Sequence, residues 1–315
     1  MAQREILPRS IGFTGPDGTG KTGFALLTID MLRREKQKVV FCPFPFLSGT
    51  ASGAMLRSAK KEGVSKIATY PLFAMNRYEV LPAIQEWVAK GDDHWVVFDR
   101  VWQDGPVFAS ALGLPAEHWR FDRRYKQERG IPIGDPKQEF RDWLHALEVW
   151  FPDVWRGFYV TRPLRESIQI MSQRGGAEAL KDAFDKNVRL QRLVRRYFPM
   201  EFDRLSNWTT VRVKGVMATS DAIRAWQVPY MKKMWNEISE QSGNFEWMRD
   251  DIERIQNAQG RVARRTDISR KEIRYTKEKL SRPAHYEWPF HGVRNWMPEK
   301  EPLASPIHEE NVERN

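Results

Sequence analysis

The chain has 315 residues, 41% of them hydrophobic, with a net charge of +10, a pI near 9.7 and a single cysteine. This length and apolar content allow one large α/β domain with an appendage, or two modest domains. A lone cysteine excludes an internal disulfide and a cysteine-rich zinc site, while the basic balance favours a polyanionic partner such as nucleic acid.

Residues 11–14 read as a short buried strand, and residues 22–34 read as a helix. Between them Gly15-Pro16-Asp17-Gly18-Thr19-Gly20-Lys21-Thr22 fits the phosphate-loop pattern G-x-x-x-x-G-K-[ST] at every fixed position. The chemistry dictates this spacing. Glycines let backbone N–H groups curl around phosphate oxygens, Lys21 reaches the β/γ-phosphates, and the Thr22 hydroxyl can ligand Mg²⁺. The helix N-terminus adds partial positive charge where the phosphates sit.

Further strands are predicted at 38–41, 95–99, 157–161 and 209–214, each short and nearly all apolar, as strands covered on both faces are. Helical patterns fall at 81–90, ending at Gly91, and at 166–174 and 184–197. Five strands alternating with helices predict a doubly wound α/β fold with a five-stranded parallel sheet. Cys42, directly after a strand, reads as a buried inert thiol. Asp99 closes its strand beside the phosphate loop, where a carboxylate can organise Mg²⁺ and its waters. Arg77 and Arg100 would supply positive charge to an acceptor or to the transferring phosphoryl group.

Two regions stand outside this pattern. Residues 115–137 form a basic insert interleaved with aromatics, including His118-Trp119-Arg120-Phe121-Asp122-Arg123-Arg124-Tyr125-Lys126. It reads as a nucleic-acid grip or equally as a solvated loop. Residues 236–315 form a charged, helix-prone extension to about 280 and then a Pro- and Trp-punctuated tail whose composition predicts disorder. Domain boundaries are therefore expected at 1–235 for the phosphate-loop domain and 236–315 for the extension and tail. The six histidines show no metal-ligand spacing, so no zinc is assigned. Residues 1–5 carry no signal-like apolar stretch and no run reaches membrane-spanning length, which predicts a cytoplasmic protein. Arg189, Arg192, Arg195 and Arg196 lie at helical spacing and read as a surface face.

Several motifs in this order resemble the thymidylate kinase family of phosphate-loop enzymes, over roughly residues 9–235. The loop is similar to the family's G-x-D-G-x-G-K-[ST]. Gly49-Thr50-Ala51-Ser52-Gly53-Ala54-Met55-Leu56-Arg57 is similar to G-T-x-x-G-x-x-[IL]-R. Leu72-Phe73-Ala74-Met75-Asn76-Arg77 is similar to L-F-A-x-x-R, Asp99-Arg100 matches the D-R pair, and 167–176 resembles the helix and lid. The resemblance implies ATP and Mg²⁺, with Gly15, Pro16, Asp17, Gly18, Thr19, Gly20, Lys21 and Thr22 binding the nucleotide and Thr22 and Asp99 near the metal. It implies Asp17, Phe73, Arg77 and Arg100 at the acceptor, with Phe73 stacking on the base, and Arg174 as the lid arginine. It also implies a homodimer.

The departures all touch the acceptor side. Pro45-Phe46-Leu47 stand where the family has Arg-Glu-Pro, Val101 replaces an aromatic, and Asp104 replaces a serine. An alcohol acceptor benefits from a carboxylate that takes its proton, whereas a phosphate acceptor needs none. Asp104 is that carboxylate, or else a helix cap beside Gly105-Pro106. Size, charge and these changes resemble a viral branch that phosphorylates the hydroxymethyl group of 5-hydroxymethyluracil within DNA, which would place the protein in the host cytoplasm. The alternatives are a free dTMP kinase, which Asp17 favours through its family role at a free sugar 3′-hydroxyl, and a nucleotide-dependent DNA-binding protein with little turnover.

Overall fold

Five strands lie parallel in the order β2-β3-β1-β4-β5, with β1 (Ile6–Thr14), β2 (Lys38–Pro43), β3 (His94–Asp99), β4 (Asp153–Thr161) and β5 (Trp208–Arg212). This is the predicted sheet. The computed structural model describes residues 4–47, 49–64, 66–112, 123–131, 134–173, 188–202, 205–214 and 265–280, all within the compact unit Met1–Ser281. Residues 115–122 and 132–133 of the basic insert, the lid arginine Arg174, most of the extension and the whole tail lie outside the described residues.

Alternation along the strands sends apolar side chains to both faces. Ile11, Phe13, Val39, Phe41, Val97, Phe158 and Val160 pack on one side with Phe24, Ile29 and Leu32 of α1 (Lys21–Arg34). Val40, Cys42, Val96, Phe98, Val154 and Tyr159 pack on the other. Their partners come from α3 (Lys66–Ala89) and from the helix Val188–Phe202. A sheet covered twice explains the near-continuous apolar strands. It also leaves Cys42 buried, where desolvation pushes its thiol far above the ordinary value.

Three differences from the sequence reading have local causes. β1 begins at Ile6, because a register shift against β4 between Leu7 and Ile11 absorbs Pro8 and Arg9, the latter at φ 51°. Ser10 bridges the irregularity, donating to Leu7 O at 2.6 Å and accepting from Trp155 N at 2.9 Å. Second, α3 runs through both Pro71 and Pro82. Each proline forfeits one backbone bond, but burial of Tyr70, Ala74, Leu81, Ile84, Trp87 and Val88 outweighs that loss. Third, the helix expected at 184–197 is described from Val188 to Phe202.

Further helices, in chain order, are α2 (Ala51–Glu62), α4 (Asp104–Ala111), α5 (Pro136–Leu147), α6 (Leu164–Gln173), α7 (Val188–Phe202) and α8 (Arg265–Leu280). α8, the described part of the extension, lies against the edge strand β2. Thr276 accepts the outward N–H of Phe41 at 2.8 Å, and Glu272 takes both terminal nitrogens of Arg33 at 2.6 and 2.8 Å. Among the described residues no helix is long and apolar enough to cross a membrane.

Candidate active site

The phosphate loop follows β1 directly and opens α1. Its glycines have φ of 141° at Gly15, 76° at Gly18 and 100° at Gly20, conformations that side chains resist. Space excludes side chains as well. A Cβ would come within 2.1 Å of Val160 O at Gly15 and 2.6 Å of Ser167 O at Gly18. The end of β4 and the start of α6 therefore clasp the loop from outside. Thr19 closes the turn by donating to Pro16 O at 2.8 Å. Gly20 caps α1, whose first turn carries no acidic residue, so its N–H groups face the loop without a competing anion.

Lys21 is buried and donates to Pro16 O at 3.3 Å and to Asp17 at 3.2 Å. Burial, then the nearby Arg100, hold its ammonium below the ordinary value. Burial alone would raise Asp17, but Arg100 and Lys21 outweigh it and hold the carboxyl well below the usual range. Arg100 spans two carboxylates: Nη2 binds Asp17, and Nη1 binds Asp104 at 3.0 Å. Arg100 adopts φ 78°, a conformation costing about 1–3 kcal/mol, and its backbone N–H is fixed to Phe13 O at 2.8 Å. Strain thus sits where β3 delivers its side chain.

Asp104 opens α4, yet its carboxylate does not cap that helix; it accepts from the Thr14 hydroxyl and from Arg100. Burial raises its affinity for protons despite the opposing cations. Asp99, at the last register position of β3 beside β1, has a buried Oδ1 with no protein partner. An orphaned carboxylate oxygen near Lys21 suits the waters of a hard cation, and Thr22 stands at the mouth of α1. Among the described residues no group of three or more His, Cys, Asp or Glu side chains is placed to hold a metal ion by itself.

Beside the loop opens a cavity of about 900 Å³. Asp17, Lys60, Arg77, Arg100 and Asp104 are its charged lining; Leu47, Leu56, Tyr70, Phe73, Phe108 and Leu112 supply apolar walls. The sequence-predicted acceptor residues Asp17, Phe73, Arg77 and Arg100 thus line one cavity together with Asp104. The wall made by α2 and α3 is braced by the G-T-x-x-G segment. Asn76 exchanges bonds with Phe46, Thr50 and Ser52, and Glu79 receives the N–H groups of Ala51 and Ser52 at 2.7 and 3.0 Å.

Glu148, just before β4, forms a buried ion pair with Arg77, which also donates to Val101 O at 3.3 Å. Sequence reasoning missed Glu148, since nothing local marks a partner 71 residues away. It also misread Arg195. Arg189, Arg192 and Arg196 of α7 are exposed, but Arg195 turns inward. The helical phase held this signal, because Arg195 shares the i, i+4, i+7 stripe with buried Gln191, Phe198 and Phe202.

The family model for thymidylate kinase matches residues 13–129, a span holding the loop, the cavity walls and Asp104. The solved thymidylate kinase from Candida albicans, described as having broad substrate specificity and a novel structural element, is similar in fold. The two share 22% identity over 74% of this chain and 94% of that one, with a TM-score of 0.50. No curated protein sequence matches. The family match and the shared sheet architecture indicate an ATP-dependent kinase.

Proposed function

We propose that this kinase transfers the γ-phosphoryl group of ATP to a neutral hydroxyl on a thymine-like deoxynucleotide, the hydroxymethyl group of 5-hydroxymethyluracil within DNA. The supporting observation is that both arginines lining the cavity are paired with carboxylates. Arg77 is matched by Glu148, and Arg100 is matched by Asp17 and Asp104. A dianionic phosphate acceptor wants uncompensated arginine; a hydroxyl does not.

In this reading Lys21 and the loop N–H groups hold the β- and γ-phosphates. Mg²⁺, held by Thr22 and through water by Asp99, would neutralise charge on the transferring group. Phe73 stacks on the base and Asp17, kept ionised, orients the acceptor. The Asp104 carboxylate, its proton affinity raised by burial, accepts the hydroxyl proton as the acceptor oxygen bonds to phosphorus and the γ-phosphorus–oxygen bond to ADP breaks. Arg174 belongs to the lid. The catalytic unit is placed in 1–235, with 236–315 and the basic insert as the grip on DNA, in a cytoplasmic homodimer.

Labelled ATP offered with Mg²⁺ to hydroxymethyluracil DNA, thymine DNA and free dTMP tests this. Label in the modified polymer alone is expected, and loss of that label in Lys21→Ala confirms turnover over mere binding. Label in dTMP alone would support the second reading, a free dTMP kinase, which Asp17 in the cavity lining favours.

A further inference from the structure

α7 brings a cation to the phosphate loop that no motif identifies. Arg195 lays its Nε on the carbonyl of Arg162 at 3.4 Å, and Nη1 donates to the backbone and side-chain oxygens of Gln191, both at 3.2 Å. Its remaining nitrogen, Nη2, is buried with no acceptor. An unmet guanidinium donor shielded from water is costly unless a ligand completes it.

Its location follows from the clasp around the loop. Val160 O and Ser167 O occupy the space a side chain would take at Gly15 and Gly18, so the segment from Val160 to Ser167 rims the phosphate cradle. Arg162, on which Arg195 rests, is inside that rim segment. Burial holds the Arg195 guanidinium below the ordinary value, opposed by Tyr159 and by Asp17 of the loop. Gln191 thus anchors Nη1, while Nη2 has no partner within the protein.

We infer that Arg195 binds the phosphate chain of the nucleotide seated in the Gly15–Thr22 loop, its Nη2 completing a cradle otherwise made of backbone N–H groups and Lys21. This rests on the ATP-dependent reading above. It adds a described residue of α7 to the donor side, separate from Arg174. A planar guanidinium with two nitrogens already anchored is pre-organised for one charge-assisted bond to a phosphate oxygen.

The test is a titration of fluorescent ATP into the full chain, with competition by unlabelled ATP and by tripolyphosphate, which has the phosphate chain without adenosine. Arg195→Ala should weaken both competitors in parallel, by about tenfold to a hundredfold, the range of one hydrogen bond to a charged group. Arg195→Lys should recover part of the loss, and Arg192→Ala, on the exposed face, should match the wild type. Melting without nucleotide separates folding from binding; if Arg195→Ala does not fold, Arg195→Lys against the wild type carries the comparison. Unchanged affinity for both competitors, even with a lowered melting temperature, overturns the inference and leaves Arg195 as a brace for Arg162. Loss for ATP but not tripolyphosphate also overturns it, in favour of an adenosine contact. A wild-type chain that binds no ATP overturns the kinase reading and this inference together.

Discussion

Asp17 sits between two cations, and its depressed affinity for protons makes it a pH-dependent support for the site. A carboxyl held below its ordinary value of 3.8 stabilises the fold fully above that value, and the contribution fades as pH falls below it. Asp17→Asn should therefore be less stable than the wild type at pH 6, with the gap narrowing by pH 3; urea melts at both values measure it, and a widening gap would refute the assignment. The buried pair behind the cavity makes a different claim. Glu148→Ala leaves Arg77 charged without its carboxylate and should cost about 3 kcal/mol, the low end for a broken buried pair, because Arg77 keeps its bond to Val101 O. The same variant should bind free dTMP better than the wild type does, by calorimetry, if compensation of Arg77 sets acceptor preference. Legibility differs sharply among these residues. Gly15 to Thr22 could be read because eight consecutive positions carry the chemistry. Arg77 could be placed near the acceptor, but the carboxylate that cancels it comes from 71 residues away and has no motif.

At the scale of elements, strands were easier to read than helices. Apolar runs flanked by polar residues located all five strands, since a doubly covered strand leaves that mark in sequence. The start of β1 was hidden because a bulge lets Pro8 and Arg9 sit in a strand they would ordinarily end. α3 was hidden in its first half because Pro71 reads as a stop, and only burial against the sheet shows why it is not one. The docking of α8 had no sequence signal. It depends on Thr276 meeting an outward N–H of β2, and hydroxyls on helices carry many other meanings. Thr276→Val should lose about 1–3 kcal/mol by stranding the buried Phe41 N–H. Ending the chain before Arg265 should cost more and expose an unpaired strand edge, detectable as a lower melting temperature and as higher-order species in size-exclusion chromatography.

Across the whole molecule, a charge of +10 is a statement about association. If the substrate is a DNA strand, log affinity should fall steeply and linearly with log salt, with a slope set by the number of phosphates neutralised. A flat salt response over 50–200 mM, measured by anisotropy, would contradict a polymer grip. The clasp of α8 on β2 also bears on how the protein comes into being. Phe41 and Thr276 are 235 residues apart, so on the ribosome the β2 edge waits for its cover while nearly the rest of the sheet is made. At ordinary elongation rates that interval is on the order of ten to fifty seconds, long compared with strand pairing. During that time the nascent chain shows neighbours a bare template, so its yield in cells should depend on translation speed and on chaperones that shield strand edges.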